Sequence, residues 1–232
     1  MISNFIYIVN YNISIERTCF SIELFTFQGI SKLFFIPIQE YGMFDWFNVY
    51  PSDMLLDEYE PGDSRYSDNF YSVGDTYAGG VIEAISNDRR AGWRKYQNYY
   101  KDLNEDQASG INMKVIRYAD VLLMMAECAN EVRSQAEAVG YINEVRARPS
   151  VNLPPVATSL NKAQVFDAIV HERAVELAGE QVRFPDLVRW GMAPEILGKF
   201  GFQAGKNEIF PIPNREISSN ENITPADQNP GY

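Results

Sequence analysis

The feature that most constrains the fold is the stretch KVIRYADVLLMMAECANEV at 114–132. Apolar side chains recur on nearly every face of a helix of that sequence, so the helix is expected to be deeply buried. Ser134 then opens SQAE, an S-x-x-E capping box in which the Ser134 hydroxyl and the Glu137 carboxylate satisfy free amides at a helix start. This second helix runs to about residue 148, where Pro149 stops it. Helices so close in sequence pack as an antiparallel hairpin. Ala126 and Ala138 have the separation at which tetratricopeptide repeats place small residues, so that two helices approach closely. One copy of that pattern is visible, and an ordinary αα-hairpin fits it as well.

A third helix is expected over 160–178, with Val165, Ile169 and Leu177 on one stripe and Phe166, Val170 and Ala174 beside it. Gly179 can end it. Pro185 suits the first turn of a short fourth helix, with Asp186 near the positive end of its dipole. Residues 1–40 are β-branched and aromatic and read as short strands. Residues 41–113 read as irregular, because Gly, Asp, Ser, Asn and Pro break every periodicity. The proline-rich tail reads as an extended strap over the domain. The expected class is mainly α, with a helical hairpin, additional helices, long irregular loops and short strands.

Composition removes several function classes. Apolar residues make up 46% of 232, enough for a packed core. A net charge of −11 repels a phosphate backbone, so nucleic acid is not an expected partner. Cys19 and Cys128 form no CxxC pair, which excludes a cysteine zinc site and provides no disulfide framework. With His171 as the single histidine, a His-rich metal site or a Ser-His-Asp triad has little to work with. Neither metal nor cofactor is expected. No apolar run reaches the ~18 residues a membrane helix needs. The N-terminus is apolar but interrupted by Asn4, Asn10 and Asn12 and lacks a basic leader, so it does not read as a signal peptide. Arg17 and Thr18 before Cys19 make a poor lipoprotein cleavage site.

The stretch HERAVELAGEQVRFPDLVRW at 171–190 poses the question of catalysis. Arg173 with Glu176, Glu180 with Arg183, and Asp186 with Arg189 have a spacing that puts helical side chains within salt-bridge reach. Glu172 alone has no arginine so placed. Paired carboxylate catalysis needs two acids facing a cleft with different pKa values. Structural pairing is therefore expected, and no enzyme activity. His171 before Glu172 is not an HExxH motif, since Val175 stands where the second His belongs.

Several segments, in order, resemble the C-terminal half of the SusD/RagB family: IRYADVLLMMAEC, INEVRARP, IVHERAVELAGEQVRFPDLVRWG, IFPIPNREI and QNPGY. PSDMLLDEYEPGDSRY resembles the family's upstream segment around an aspartate-arginine turn. The resemblance implies a mostly α-helical fold in which tetratricopeptide-like hairpins scaffold irregular glycan-binding loops. It implies a non-catalytic outer-membrane lipoprotein of Bacteroidetes-type bacteria, which captures oligosaccharide or polysaccharide and delivers it to a SusC-like TonB-dependent transporter. Residues 41–232 then form the family-like domain, loop-rich over 41–113, helical over 114–191 and extended over 192–232, while 1–40 stay unassigned. Members are longer and begin with a lipidated cysteine and several helical hairpins, which this sequence does not display. The chain therefore reads as truncated, with part of the 115–133 helix uncovered and only marginal stability alone.

A glycan site needs aromatic faces for the C–H surfaces of sugar rings, with polar partners beside them for the hydroxyls. YGMFDWFNVY supplies Tyr41, Phe44, Trp46 and Asn48; GWRKYQNYY supplies Trp93, Tyr96 and Asn98. Trp46 and Trp93 are the leading candidates. The competing reading places such rings in the core beneath long loops. Acids in DSRYSD read as solvated turn acids in preference to Ca²⁺ ligands. The alternative function is a helical-repeat adaptor that binds a protein partner and no sugar.

Overall fold

The computed structural model describes residues 49–77, 80–95 and 114–232. The strands expected over 1–40 lie outside the described residues. Within the loop-rich region, Ser52 starts α1 (Asp53–Asp57) by accepting a hydrogen bond from the Leu55 amide on its hydroxyl, at 3.2 Å. α2 (Arg65–Asn69) runs directly into β1 (Phe70–Tyr71). β2 (Thr76–Tyr77) pairs antiparallel with β3 (Gly80–Val81). β4 (Gly92–Trp93) pairs antiparallel with β1 and sets Phe70 opposite Trp93. The region expected to be irregular thus carries helices and two small sheets. Elements this short show no periodicity, which is why the sequence pattern misses them. Val49, Leu55, Leu56, Phe70, Ala91 and Trp93 form its buried cluster, together with Ala178.

The helical scaffold matches expectation closely. α3 (Tyr118–Val132) and α4 (Gln135–Arg146) are joined by so short a turn that they must run antiparallel. Ser134 caps α4 as expected, accepting from the Glu137 amide at 3.2 Å. The Glu137 carboxylate does not reach back; it takes Arg133 at 2.6 Å. A complete capping box sits instead at α5 (Lys162–Glu176), between Asn161 and Gln164. α5 packs against both hairpin helices. Leu123, Ala126, Ala138, Val139, Ile142, Val165 and Ile169 are fully buried in the shared core. Each large side chain there contributes about 1.5–3 kcal/mol of burial free energy.

Gly179, at φ +81°, turns the chain out of the α5 end, where a side chain would be strained. α6 (Arg183–Arg189) follows with Asp186 in its first turn, then α7 (Ala193–Leu197). Phe184, Leu187, Ala193 and Leu197 close a satellite cluster. The tail departs from the extended strap expected of it. It contains α8 (Asn214–Ser219) and folds back on itself. The Gln228 side chain pairs with both backbone groups of Ile212, at 2.7 and 2.9 Å. Among the described residues no helix is long and apolar enough to cross a membrane.

The deep burial expected for α3 holds on one side only. Tyr118, Val121, Met124 and Val132 are 69%, 40%, 39% and 80% exposed. With the exposed Cys128 they share one face at helical spacing. A contiguous apolar face of this kind promotes association. The chain is therefore expected to self-associate on size-exclusion chromatography. Replacing Val121 with Lys and Met124 with Glu should shift it toward monomer while changing stability by only about 0.5 kcal/mol, as for surface positions. A wild-type chain that elutes as a clean monomer at all concentrations would contradict this.

Candidate functional site

The charged side chains of 171–190 meet those of four distant segments of the chain. Glu172, near the end of α5, is 0% exposed. Its Oε1 accepts from Arg65 at 2.5 Å and its Oε2 from Arg146 at 3.0 Å. Glu176, one helical turn on, accepts from Arg65 at 3.0 Å, from Arg117 at 2.9 Å and from Arg148 at 2.8 and 3.1 Å. Arg65 is itself oriented by Asp63, which takes its Nε and Nη2 at 2.9 and 2.7 Å. Arg146 also holds Glu60 at 2.6 and 3.0 Å. A second centre lies beside the first. Arg173 donates to Asp186 at 2.7 Å and to Asp120 at 2.8 Å, and Asp186 also receives Arg189 at 2.9 Å.

Structural pairing is therefore present, but two of the three expected pairs are replaced. Asp186 with Arg189 forms as expected. Arg173 turns to Asp186 and Asp120 instead of Glu176. Glu180 turns to Lys95 at 2.6 Å and Arg117 at 2.7 Å instead of Arg183. Glu172, left without an arginine by sequence spacing, holds two. Asp63, read as a solvated turn acid, is buried. Partners as far away as Arg65 carry no local signal, because pairing by spacing sees only one helix face.

The chemistry available here is holding, not proton transfer. Every carboxylate oxygen of Glu172 and Glu176 is engaged by a guanidinium. Burial works to raise the Glu176 pKa, but the hydrogen bonds and charges of Arg148, Arg117 and Arg65 outweigh it and hold the carboxyl below its usual range. Arg183 stands apart. Its Nη1 donates to the Val170 carbonyl at 3.2 Å, its Nε is buried without a hydrogen-bond partner, and burial pushes its pKa down. Among the described residues no group of His, Cys, Asp and Glu is arranged to hold a metal ion.

Of the ligand-binding candidates, Tyr41, Phe44, Trp46, Asn48, Tyr96 and Asn98 lie outside the described residues. Trp93 corrects the expectation placed on it. The ring is 1% exposed and sits against Phe70, with centroids 5.0 Å apart. A Cβ on Gly179 would lie 3.3 Å from its Cζ3, so the turn after α5 presses against the indole. A ring enclosed in this way offers no face to a sugar. The core reading of the aromatics wins at this position, because pairing of β1 with β4 brings Trp93 onto Phe70. Its neighbour Lys95 is anchored to the same turn, donating to the Ala178 carbonyl at 2.7 Å.

Removing one partner of a buried ion pair strands the others. Arg65→Ala is therefore expected to lower unfolding free energy by about 3–5 kcal/mol in urea titrations. Arg183→Ala should cost only about 1 kcal/mol, because it removes a charge that is poorly compensated. The Glu176 contribution is fully present above the ordinary carboxylate value of 4.5 and is lost as pH falls through its lowered folded value. Stability measured against pH should accordingly fall on the acid side of 4.5. Equal losses from the two arginine substitutions would contradict the assignment.

The chain has relatives in sequence and in structure. The profile of the SusD family matches residues 42–232. SusD-like protein P2 of Formosa agariphila is 34% identical over 141 residues, covering 56% of this chain and 28% of that protein. The crystal structure of a SusD superfamily protein from Bacteroides vulgatus superposes with a TM-score of 0.70 at 28% identity, covering 82% of this chain and 46% of that one. A laminarin-binding SusD-like protein superposes with a TM-score of 0.59 at 36% identity, covering 78% of this chain and 38% of that one. The chain thus spans less than half the length of these relatives. The ordered helices, the tail that follows them and the profile match together place this chain in the SusD family.

Proposed function

We propose that this chain belongs to a non-catalytic glycan-binding protein that serves a SusC-like TonB-dependent transporter at the outer-membrane surface. The observation that carries the proposal is the family match, which begins at residue 42, inside the aromatic segment at 41–50, and runs to residue 232. A relative 36% identical in sequence is itself named as laminarin-binding. A glycosidase acting through paired carboxylates would need two free acids, whereas Glu172 and Glu176 are both engaged by arginines. Carbohydrate without metal or cofactor, and not nucleic acid, is the ligand class that fits.

The binding residues we propose are Tyr41, Phe44, Trp46 and Asn48 in one segment, with Tyr96 and Asn98 in the other. Their aromatic faces suit sugar C–H surfaces, and their amides suit the hydroxyls. The residues flanking the two segments support the grouping. Val49 and Trp93, the described residues next to the two segments in sequence, belong to a single buried cluster. Functional residues commonly sit on loops positioned by a rigid scaffold.

Calorimetry with a panel of oligosaccharides, laminarin fragments included, tests the reading. Binding is expected without hydrolysis and with Kd on the order of a millimolar or weaker, since ordering each side chain offsets about 0.5–1.5 kcal/mol of the gain. Trp46→Ala should weaken it further. Trp93→Ala should instead destabilise the fold by about 3–5 kcal/mol, as for a large ring removed from a core. Turnover of any sugar, or binding indifferent to Trp46→Ala, would overturn the proposal. The exposed face of α3 supports a second reading, a helical-repeat adaptor for a protein partner. That reading predicts no binding to any glycan in the panel.

A further inference from the structure

His171 is the single histidine of the chain and touches the charge centres above at one point, the Glu60 carboxylate that Arg146 holds. It sits on α5, a quarter exposed, and faces the linker that follows α1. Its Nδ1 lies 2.8 Å from Glu58 Oε1, and its Nε2 lies 3.2 Å from Glu60 Oε1. A neutral imidazole carries one N–H, and ionised carboxylates only accept. In the neutral form one of these two contacts would set a bare ring nitrogen against a carboxylate oxygen. Only the imidazolium donates to both.

The charges around the ring come from every element packed on it. Glu58 and Glu60 face it from the linker, and Glu172 adjoins it on α5. Arg146 of α4 holds Glu60 from the other side, and Arg183 of α6 bears on Glu58 through its charge. Among the described residues His171 is the hydrogen-bond partner of the Glu58 side chain. Glu60 keeps Arg146 whatever the state of the ring.

We propose that His171 is a proton-operated latch. As the imidazolium it ties the 58–60 linker to α5. On losing its proton it frees Glu58 from α5, while Arg146 retains Glu60 and the Tyr59 hydroxyl keeps its hydrogen bond to the Val175 carbonyl. The consequence is local, because Arg65 and its carboxylates hold the next turn of chain independently. The hydrogen bond to Glu58 raises the His171 pKa above its ordinary value of 6.5; burial opposes this, and the charges of Glu58, Glu172 and Glu60 assist it. A raised value means that the imidazolium's contribution is present below 6.5 and is lost as pH rises through the folded value. Glu58 is held below its ordinary value of 4.5, chiefly by its hydrogen bond to His171, so the latch also opens in acid as pH falls through that lowered value.

A chain with one histidine permits a direct test. Nuclear magnetic resonance of the His171 ring, titrated in the full chain, should give a pKa above 6.5, with both ring nitrogens protonated in the closed state. Hydrogen-exchange protection of the Glu58 amide, which donates to the Leu55 carbonyl at 3.3 Å, should fall, after correction for intrinsic rates, as pH rises through that pKa. The fall should be no steeper than about tenfold per pH unit, the limit for one proton. H171Q should abolish this pH dependence. E58Q should retain the fold and lower the His171 pKa, and it decides the matter if H171Q does not fold. A ring titrating at or below 6.5, a His171 pKa unmoved by E58Q, or equal pH responses in wild type and H171Q would each overturn the latch.

Discussion

One guanidinium, that of Arg65, joins the loop-rich part of the molecule to its helices. Asp63 orients it from two residues away, and Glu172 and Glu176 receive it on α5. Taking such ions out of water costs several kcal/mol each, and their attraction offsets this only when geometry is good and every oxygen is satisfied. That requirement spreads through the fold. Glu172 needs Arg146 of α4, and Glu176 needs Arg117 before α3 and Arg148 after α4. The hairpin, α5 and the turn at 63–65 are each incomplete without the others.

The same end of α5 also holds the cluster that contains Val49 and Trp93, through Ala178. The Tyr59 hydroxyl donates to the Val175 carbonyl at 3.0 Å, and Lys95 reaches the Ala178 carbonyl. Gly179 lies under Trp93. Burial of Trp93 thus fixes the chain at 92–95, just as burial of Val49 fixes the start of the 49–57 stretch. An indole that serves as an anchor and an indole that serves as a stacking surface need opposite environments, and this one has the former.

How far the sequence reveals this depends on the range of each interaction. The three long helices are legible because their apolar residues repeat within themselves, and Ser134, Pro149 and Gly179 mark ends that physical chemistry recognises locally. The two-residue strands at 70–71 and 92–93 are not, since no alternation fits in them. The acids of 171–190 are correctly read as structural. Their partners are not, because an arginine at 65, 117, 146 or 148 becomes a neighbour only after the chain has closed on itself. Glu172 shows the limit most clearly: with no arginine at helical spacing, it is the most enclosed acid of the group. Exposure on one α3 face agrees with the expectation, drawn from the family resemblance, that part of this helix is uncovered; the stripe alone suggests full burial, since it does not name what covers it.

The long loops closed by the charge centre have a kinetic side. Arg65 and Glu176 are separated by 111 positions along the chain. The α3 and α4 hairpin needs only local contacts and can assemble early, whereas ion pairs of such separation form after the closure entropy of a long loop has been met. Arg146, Arg148 and Arg117 of the hairpin region already meet Glu172 and Glu176 at shorter separations, so the arrival of Arg65 completes a charge centre that the helices begin. Salt in the surrounding buffer screens the approach of charges still in water more than it screens the buried pairs of the finished structure.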